Sequence, residues 1–319
     1  MIFRDSWRDA GSFSRLRLLG DGVGGLEVKG GEREIEVVLG SEGEISRLEL
    51  EAWRMRGQGR YDEALEEYKE ALEFWDGMKG RLEEEVWASG RVLYLRKIAA
   101  CYKAMGDFDM AAREYWKVAR LAQISSFPDT RDYAVIAAAE CKGRAAAIAM
   151  SKGQKSCPAC EMLRVYREAL NERESPLLLK KFGDVYRRLN RYNEAIVVYE
   201  RIANLYPESE LAPESQYMVA YCYWLLFDLD RAVMEARKVL SYPQLKADTR
   251  ASAMYLLAKL YLSMWRDSEA KEELRMIIDN YPNSNYAHEA RAMLEEIENP
   301  DPAVVKWWKE VQSSIERGD

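Results

Sequence analysis

The chain has 319 residues, of which 32% are charged and 48% are hydrophobic, and its formal net charge is −7. A general nucleic-acid-binding protein draws much of its affinity from phosphate contacts and is normally basic, so this balance predicts no nucleic-acid partner. No stretch approaches the run of apolar residues that a membrane-spanning helix needs, so no membrane span is predicted.

The N-terminus and the cysteines predict a cytoplasmic protein. Charged residues between Arg4 and Asp9 interrupt the apolar run that a secretory signal requires. The five cysteines are few for this length and odd in number, which favours free thiols in a reducing compartment over a disulfide framework. A periplasmic location is the alternative if a leader peptide was removed.

Residues 1–44 are predicted to form a small β-rich hairpin or meander. Nine of the 19 glycines lie there, and Ile35, Val37 and Leu39 alternate with other residues as strand side chains do. The stretch Gly20–Gly25 also satisfies G-x-G-x-x-G. A dinucleotide site needs a helix to begin at such a turn, and another strand-like run follows instead, so the glycines are interpreted as a turn.

From Ile45 onwards the pattern becomes helical, and successive units read as pairs of helices. Small residues mark the first two units at Ala64 and Ala111. The third unit is degenerate, with predicted helices over 134–150 and 158–170 and with Ala159 as its candidate small residue.

The clearest unit spans residues 176–207. Gly183 and Ala195 are small where two antiparallel helices must approach closely, and Asn190 lies where the first helix must stop. Seven positions at fixed offsets match the pattern W-x2-L-G-x2-Y…A-x3-F…P: Leu179, Phe182, Gly183, Tyr186, Ala195, Tyr199 and Pro207. The stretch therefore resembles a tetratricopeptide (TPR) repeat.

Two further units repeat this pattern around Ala232 and Ala270. Ala232 lies 37 residues after Ala195, and Ala270 lies 38 residues after Ala232. Residues 281–297 are predicted to form a capping helix, and 300–319 a final short helix. The resemblance implies an all-α, TPR-like α-solenoid of about six helical hairpins over 45–299, with the β-rich appendage before it.

Residues 176–297 carry a second resemblance. The long repeats and the stretches NLYPESELAPES and DNYPNSNYAHEA are similar to bacterial cell-envelope TPR proteins of the outer-membrane assembly lipoprotein and Tol-Pal-associated type. The chain departs from that family at its glycine-rich N-terminus, which shows no signal peptide and no lipobox cysteine. An envelope-assembly component is therefore an alternative prediction for function.

Cys157-Pro158-Ala159-Cys160 is the one motif with reactive potential, because a helix N-terminus favours the thiolate form. Three interpretations stay open. The favoured one is a helix start with incidental thiols, and the second is a thiol redox pair. The third is a metal site, which would need four ligands that no second Cys-x-x-Cys provides.

The sequence predicts no enzyme, no cofactor and no metal site. The single histidine, His288, lies on the predicted capping helix without a neighbouring nucleophile pattern. Runs of carboxylates such as Glu83–Glu85 are typical of solvated helix faces.

The TPR resemblance instead implies a concave groove lined by the first helix of each repeat. Asp184 stands where the chaperone-tail carboxylate clamp needs asparagine, which disfavours that ligand. The implied partner is a protein segment with acidic residues and apolar or aromatic anchors, and the predicted function is a non-enzymatic scaffold or adaptor. Carrying the family's groove positions over gives Trp53, Arg56, Arg96, Lys103, Lys180, Arg187, Tyr217, Tyr221, Trp224, Tyr255 and Lys259.

Overall fold

The structure is a computed structural model that describes residues 44–299, apart from Arg81, Ser126, Phe127 and Gln244, and three short backbone strands nearer the N-terminus. The strands are β1 (Arg17–Leu18), β2 (Val28–Gly31) and β3 (Glu34–Val37). Strand β3 pairs in parallel with β1 and antiparallel with β2. The glycine turn at 20–25 and the predicted helix at 300–319 lie outside the described residues, and the β-rich appendage over 1–44 stays a prediction.

The described part of the chain contains thirteen α-helices, which confirms the predicted all-α class for these residues. Their bounds are α1 (Glu44–Gly57), α2 (Tyr61–Asp76), α3 (Glu84–Met105), α4 (Phe108–Leu121), α5 (Pro128–Ser151), α6 (Pro158–Glu172), α7 (Pro176–Arg188), α8 (Tyr192–Leu205), α9 (Ala212–Leu225), α10 (Leu229–Leu240), α11 (Ala247–Ser263), α12 (Asp267–Asn280) and α13 (Tyr286–Glu298). They form six helical hairpins followed by α13, as the repeat pattern predicts. None of the described helices is long and apolar enough to cross a membrane.

The helices belong to two compact units, Met1–Ala145 and Ala146–Asp319. Unit 1 has a core between α1, α2 and α3, in which Trp75 and Trp87 are buried. The indole N–H of Trp75 donates to the carbonyl oxygen of Trp87 at 2.9 Å. Unit 2 has a core of small and aliphatic residues centred on α11 and α12, with Leu257 and Leu274 fully buried.

All six hairpins turn in the same way after their first helix. One residue adopts a positive φ, and the next residue donates its N–H back to a carbonyl five positions earlier, which is the Schellman arrangement. In the first three hairpins the positive-φ residue is glycine, and in the fourth it is the predicted Asn190. The six positions are Gly59, Gly106, Gly153, Asn190, Phe227 and Trp265.

The second helix of five hairpins has an alanine as its fourth residue. All five alanines are fully buried: Ala64, Ala111, Ala195, Ala232 and Ala270. The assignment of Ala159 to this role is wrong. Three extra residues follow the Gly153 turn, so α6 begins at Pro158 and Ala159 is only its second residue, where it is half-buried.

The glycines in two helices permit close contacts with aromatic rings. A Cβ atom added at Gly183 would lie 2.7 Å from the ring of Tyr199, which explains why the signature needs glycine there. At Gly90 the added atom would lie 2.0 Å from the ring of Trp75. Both contacts join neighbouring helices of one unit.

Three second helices begin with a related electrostatic motif. Arg60, Arg191 and Arg266 precede their helices and pair with glutamates three residues later. The guanidinium groups of Arg191 and Arg266 also lie 4.9 Å from the ring centres of Tyr186 and Tyr261. Each pair places a carboxylate in the first turn of a helix, where the helix dipole favours negative charge.

Candidate functional site

Unit 2 carries a row of aromatic side chains that we call the aromatic ladder: Tyr217, Tyr221, Trp224, Tyr255 and Tyr286. On α9, residues 217, 221 and 224 share one face because their spacing is four and then three. The rings of Tyr217 and Tyr221 stack with centroids 6.5 Å apart, and Tyr221 meets Trp224 edge to face at 5.7 Å. Tyr255 of α11 lies 5.5 Å from Tyr286 of α13.

Lys259 joins the two parts of the ladder. Its Nζ lies 4.7 Å from the ring centre of Trp224 and 5.8 Å from that of Tyr255. No carboxylate lies within ion-pair distance of Lys259 in the described part of the chain. The site therefore combines flat apolar surfaces with one cation. That cation contacts aromatic rings and makes no ion pair with a described carboxylate.

The ladder is half-buried, so each ring packs on its own helix and also presents surface to solvent. Burial, with the neighbouring Tyr286 and Tyr221, raises the pKa of Tyr217 to about 12. Burial also raises the pKa of Tyr255, and the nearby Glu289 acts in the same direction. Both phenols are therefore neutral hydrogen-bond donors at neutral pH.

Two of the predicted groove residues, Lys180 and Arg187, interact with side chains of the same unit. Lys180 Nζ lies 3.1 Å from Glu214 and 3.7 Å from Asp184. The hydroxyl of Tyr199 donates to Asp184 at 2.7 Å, and Arg187 interacts with Tyr199. Lys180 is therefore paired with two carboxylates, whereas Arg187 contacts a tyrosine hydroxyl, and the family positions carried no information about either set of neighbours.

Unit 1 holds a separate group of cations, which we call the basic face: Arg56, Arg96, Lys103 and Arg144. The three arginines are exposed and Lys103 is half-buried. Among the described residues none of the four makes an ion pair within 4 Å. Arg144 instead lies over the ring of Phe108, at 5.6 Å from its centre.

The four cations act electrostatically on two neighbouring groups, the half-buried Tyr115 and the buried Cys141. Burial raises the pKa of Tyr115, while Arg96 and Arg56 oppose that rise. Burial likewise raises the pKa of the Cys141 thiol, while Lys103 and Arg144 oppose it. Glu140 is the acidic side chain that acts on both groups, so it also faces this region.

The predicted groove residues thus separate into two groups. Trp53, which is 64% exposed, joins Arg56, Arg96 and Lys103 in unit 1. The three α9 aromatics, Tyr255 and Lys259 come together in unit 2. Their assignment as a binding site stays a prediction.

Sequence reasoning missed Tyr286 and Arg144. Tyr286 begins α13, which was interpreted only as a polar cap, although an aromatic at the first residue of a capping helix is a signal for contact with the preceding repeat. Arg144 belongs to the degenerate third hairpin, where no signature residue indicated which helix face lines the groove.

The cysteines also differ from prediction. Cys157 and Cys160 form a disulfide, so the interpretation as incidental free thiols is wrong. The pair stands at the start of α6 as predicted, and the three remaining cysteines, Cys101, Cys141 and Cys222, are buried. The described residues contain no group of three or more His, Cys, Asp or Glu side chains arranged to hold a metal ion.

Comparison with known proteins places the C-terminal part of the chain beside an envelope family. Residues 182–300 match the family YfiO, described as an outer membrane lipoprotein. Over 150 residues the chain is 27% identical to the outer membrane protein assembly factor BamD of Caulobacter vibrioides. That alignment covers 43% of this chain and 48% of the relative, so the chain spans about half of the relative's length.

Solved structures of low sequence identity also match. BtubC (BKLC) from P. vanneervenii is 16% identical, with 79% of this chain and 93% of that chain covered and a TM-score of 0.48. The TPR protein YrrB is 19% identical, with 63% and 92% covered and a TM-score of 0.40. TM-scores below 0.5 support no inference about function.

The predicted cytoplasmic location is wrong. The match of residues 182–300 to an outer membrane lipoprotein family overturns it, and the count of cysteines misled because two of the five form a disulfide. The chain is a TPR protein that resembles outer-membrane assembly factors.

Proposed function

We propose that the protein is a non-enzymatic adaptor that binds an extended segment of another protein along the inner face of its repeats. The aromatic ladder with Lys259 carries this proposal. Half-buried aromatic rings that are already ordered by their own helix lose little conformational freedom on binding, and such residues dominate interface energies.

The chemistry of the two faces defines the partner segment. The ladder suits apolar or aromatic anchors that lie flat on Tyr217, Tyr221 and Trp224, with Lys259 beside an acidic group or a carbonyl oxygen. In unit 1 the unpaired cations of the basic face suit carboxylates. The ladder therefore favours a segment with aromatic anchors, and the basic face by itself favours a segment with acidic residues.

The same role would operate in the cell envelope. Two independent observations support this location: the family match of residues 182–300 and a disulfide between exposed cysteines, which persists in oxidising compartments such as the periplasm. A component of outer-membrane protein assembly is the specific form that the relative's name favours.

The test uses a matched pair of tryptophan variants. Trp224→Ala removes the centre of the ladder, while Trp265→Ala removes a tryptophan that is 79% exposed and outside it. The tagged full chain captures its partner from envelope extracts of the source cell, and surface plasmon resonance measures the complex. We expect Trp224→Ala to cost about 2 kcal/mol, mainly through faster dissociation, and Trp265→Ala to bind as wild type. Equal binding by both variants would refute the ladder as the site.

The basic face is tested by charge reversal. Arg96→Glu with Lys103→Glu should slow association, more strongly at low salt, because exposed charges steer encounter. Arg113→Glu, an exposed arginine on α4, is the control for net charge. If the control slows association equally, the effect is one of net charge and the basic face has no part in binding.

The β-rich appendage over residues 1–44 is proposed as a small accessory element. The pairing of β3 with both β1 and β2 supports it. Amide exchange of the full chain tests this proposal, since paired strands protect alternate amides. Uniformly fast exchange over 1–44 would refute it.

A further inference from the structure

The Cys157–Cys160 disulfide lies at the solvent-exposed start of α6. Both cysteines are exposed, and so are Lys152 and Lys155 in the connection that precedes them. Cys157 is the N-cap residue of α6, and its Sγ accepts the N–H of Cys160 at 3.2 Å. A thiol from another molecule can therefore reach the S–S bond while the helix stays folded.

The N-cap position that Cys157 occupies holds a carboxylate in two other hairpins. Asp107 accepts the N–H of Met110, and Asp228 accepts the N–H of Arg231. The pKa of Asp228 is lowered, first by the side-chain hydrogen bond from Arg231 and also by this backbone bond. Three further hairpins have an arginine at the same position, so the fold accepts either charge there. A Cys157 thiolate would meet the equivalent N–H group and the positive end of the helix dipole, as the two aspartates do.

From this geometry we propose that Cys157 and Cys160 form a thiol–disulfide exchange site that oxidises a pair of thiols in a partner polypeptide. This activity is separate from segment binding on the aromatic ladder. Its substrate class is a polypeptide with two cysteines close enough to form a disulfide.

The exchange takes place in two steps. A partner thiolate attacks Sγ of Cys160, the S–S bond breaks, and Cys157 leaves as the thiolate that the helix start stabilises. The partner's second thiolate then attacks the partner's own sulfur in the mixed disulfide and releases Cys160. Two electrons pass to the cysteine pair, and the partner's two protons pass to the two cysteine sulfurs or to solvent.

The other cysteines do not compete for this chemistry. Cys101, Cys141 and Cys222 are fully buried, and burial raises their pKa, in the case of Cys222 to about 11. Raised pKa values keep these thiols protonated, and burial keeps them from an incoming polypeptide. The exposed pair is therefore chemically isolated within the described chain.

The disulfide is also poorly placed to serve as a structural staple. It closes a loop of only four residues, and the entropy that a cross-link removes from the unfolded chain grows with loop length. The first turn of α6 already has its cap from Cys157 and a proline at its first position. We therefore expect the helix to persist when the bond is reduced.

The first test measures the two thiols one at a time. Cys160→Ser keeps the Cys157 thiol, Cys157→Ser keeps the Cys160 thiol, and the double variant corrects for the buried cysteines. The charged groups nearby are Lys152, Lys155 and Glu161, the last paired with Arg164. Alkylation by iodoacetamide against pH should show Cys157 ionising about one unit or more below the ordinary value of about 8.5. An ordinary or raised pKa at Cys157 would overturn the assignment.

The second test separates an exchange site from a staple. The full chain is equilibrated with mixtures of reduced and oxidised glutathione, and the redox state is trapped by alkylation. We expect the pair to titrate between both states while circular dichroism and the melting temperature stay unchanged. Reduction that requires unfolding, or that lowers the melting temperature strongly, would overturn the proposal.

The third test measures the activity. A reduced synthetic peptide containing Cys-Gly-Gly-Cys is mixed with the oxidised chain, and one disulfide should form in the peptide for each chain consumed. Cys157→Ser with Cys160→Ser should form none above background. Trp265→Ala, which lies outside both sites, should oxidise the peptide as wild type does. Because the peptide has no aromatic anchor for the ladder, failure of the ladder and failure of the exchange site are distinguishable. Equal rates for wild type and the double variant would overturn the proposal.

Discussion

Among the six turn positions with positive φ, Phe227 and Trp265 are the exceptional residues. Their φ angles are 60° and 58°, where glycine or asparagine is the usual residue, and they are 87% and 79% exposed. A bulky side chain in this conformation costs about 1–2 kcal/mol, and little burial offsets the cost. The other four turns show that the fold itself accepts glycine or asparagine here.

We therefore predict that Trp265→Asn stabilises the protein. Asparagine tolerates this conformation, as Asn190 does at φ 57°, so the free energy of unfolding should rise by about 0.5–1 kcal/mol. Denaturant titration followed by circular dichroism measures it. Trp53→Asn, at an exposed position inside helix α1, is the control and should give no gain. A loss of stability in Trp265→Asn would show that its side-chain contacts outweigh the backbone strain.

A buried carboxylate offers a pH-dependent prediction. Burial raises the pKa of Glu273 against the opposing effect of Arg237, and its Oε2 has no hydrogen-bond partner. A raised carboxyl pKa means that the ionised form destabilises the fold, so stability is lost as pH rises through the folded pKa.

Glu273→Gln should consequently raise the melting temperature at pH 7, because it removes the buried charge. The gain should shrink as pH falls through the raised pKa of the folded protein, and it should be absent below about 4.5, where the carboxyl is protonated in both the folded and the unfolded chain. Thermal unfolding of both proteins at several pH values measures this difference. Glu272→Gln, at the exposed neighbouring position, should change little at any pH. A gain that does not depend on pH would contradict the electrostatic explanation.

At the scale of the helical hairpin, one small residue sets the approach of two helices. Ala195 is the fourth residue of α8 and is fully buried, and Gly183 on α7 leaves room for the ring of Tyr199. The two small residues explain why a helix pair can enclose a large aromatic side chain without a cavity.

Ala195→Leu should therefore destabilise the protein by about 1–3 kcal/mol, because the added methylenes have no space at this contact. Val197→Leu is the matched control on the same helix, since Val197 is 65% exposed. Thermal or denaturant unfolding compares both with wild type. Unchanged stability in Ala195→Leu would show that α7 and α8 can separate without cost.

At the scale of the whole molecule, a repeat chain is stabilised mainly through contacts between neighbouring helices. Within unit 2, α11 buries eight residues against both neighbours, whereas α13 buries only Ala287 and Ala290. The helices of one unit should therefore differ in local stability.

Native-state hydrogen exchange of the full chain should detect this difference. Amides of α13 are expected to exchange faster than those of α11, because opening α13 exposes fewer buried residues than opening α11 does. Mass spectrometry of peptides from the two helices measures the rates. Equal protection would mean that unit 2 opens only as a whole.

The sequence by itself determined the helical architecture of this protein, because its cause is local. Small residues such as Ala195 recur at fixed offsets, and each acts through its own helix contact, so the pattern could be recognised without knowledge of the tertiary packing. The prediction was wrong for Ala159, because three inserted residues shift the start of α6 relative to the Gly153 turn.

Only the tertiary structure decided which side chains are available for binding and which sulfurs are joined. Lys180, a predicted groove residue, forms ion pairs with Glu214 and Asp184, and Tyr286 joins the aromatic ladder from a helix interpreted as a cap. Charge pairing, ring contacts and the bond between Cys157 and Cys160 depend on distances between atoms. A repeat pattern specifies the spacing along the chain, whereas these contacts depend on how neighbouring helices pack.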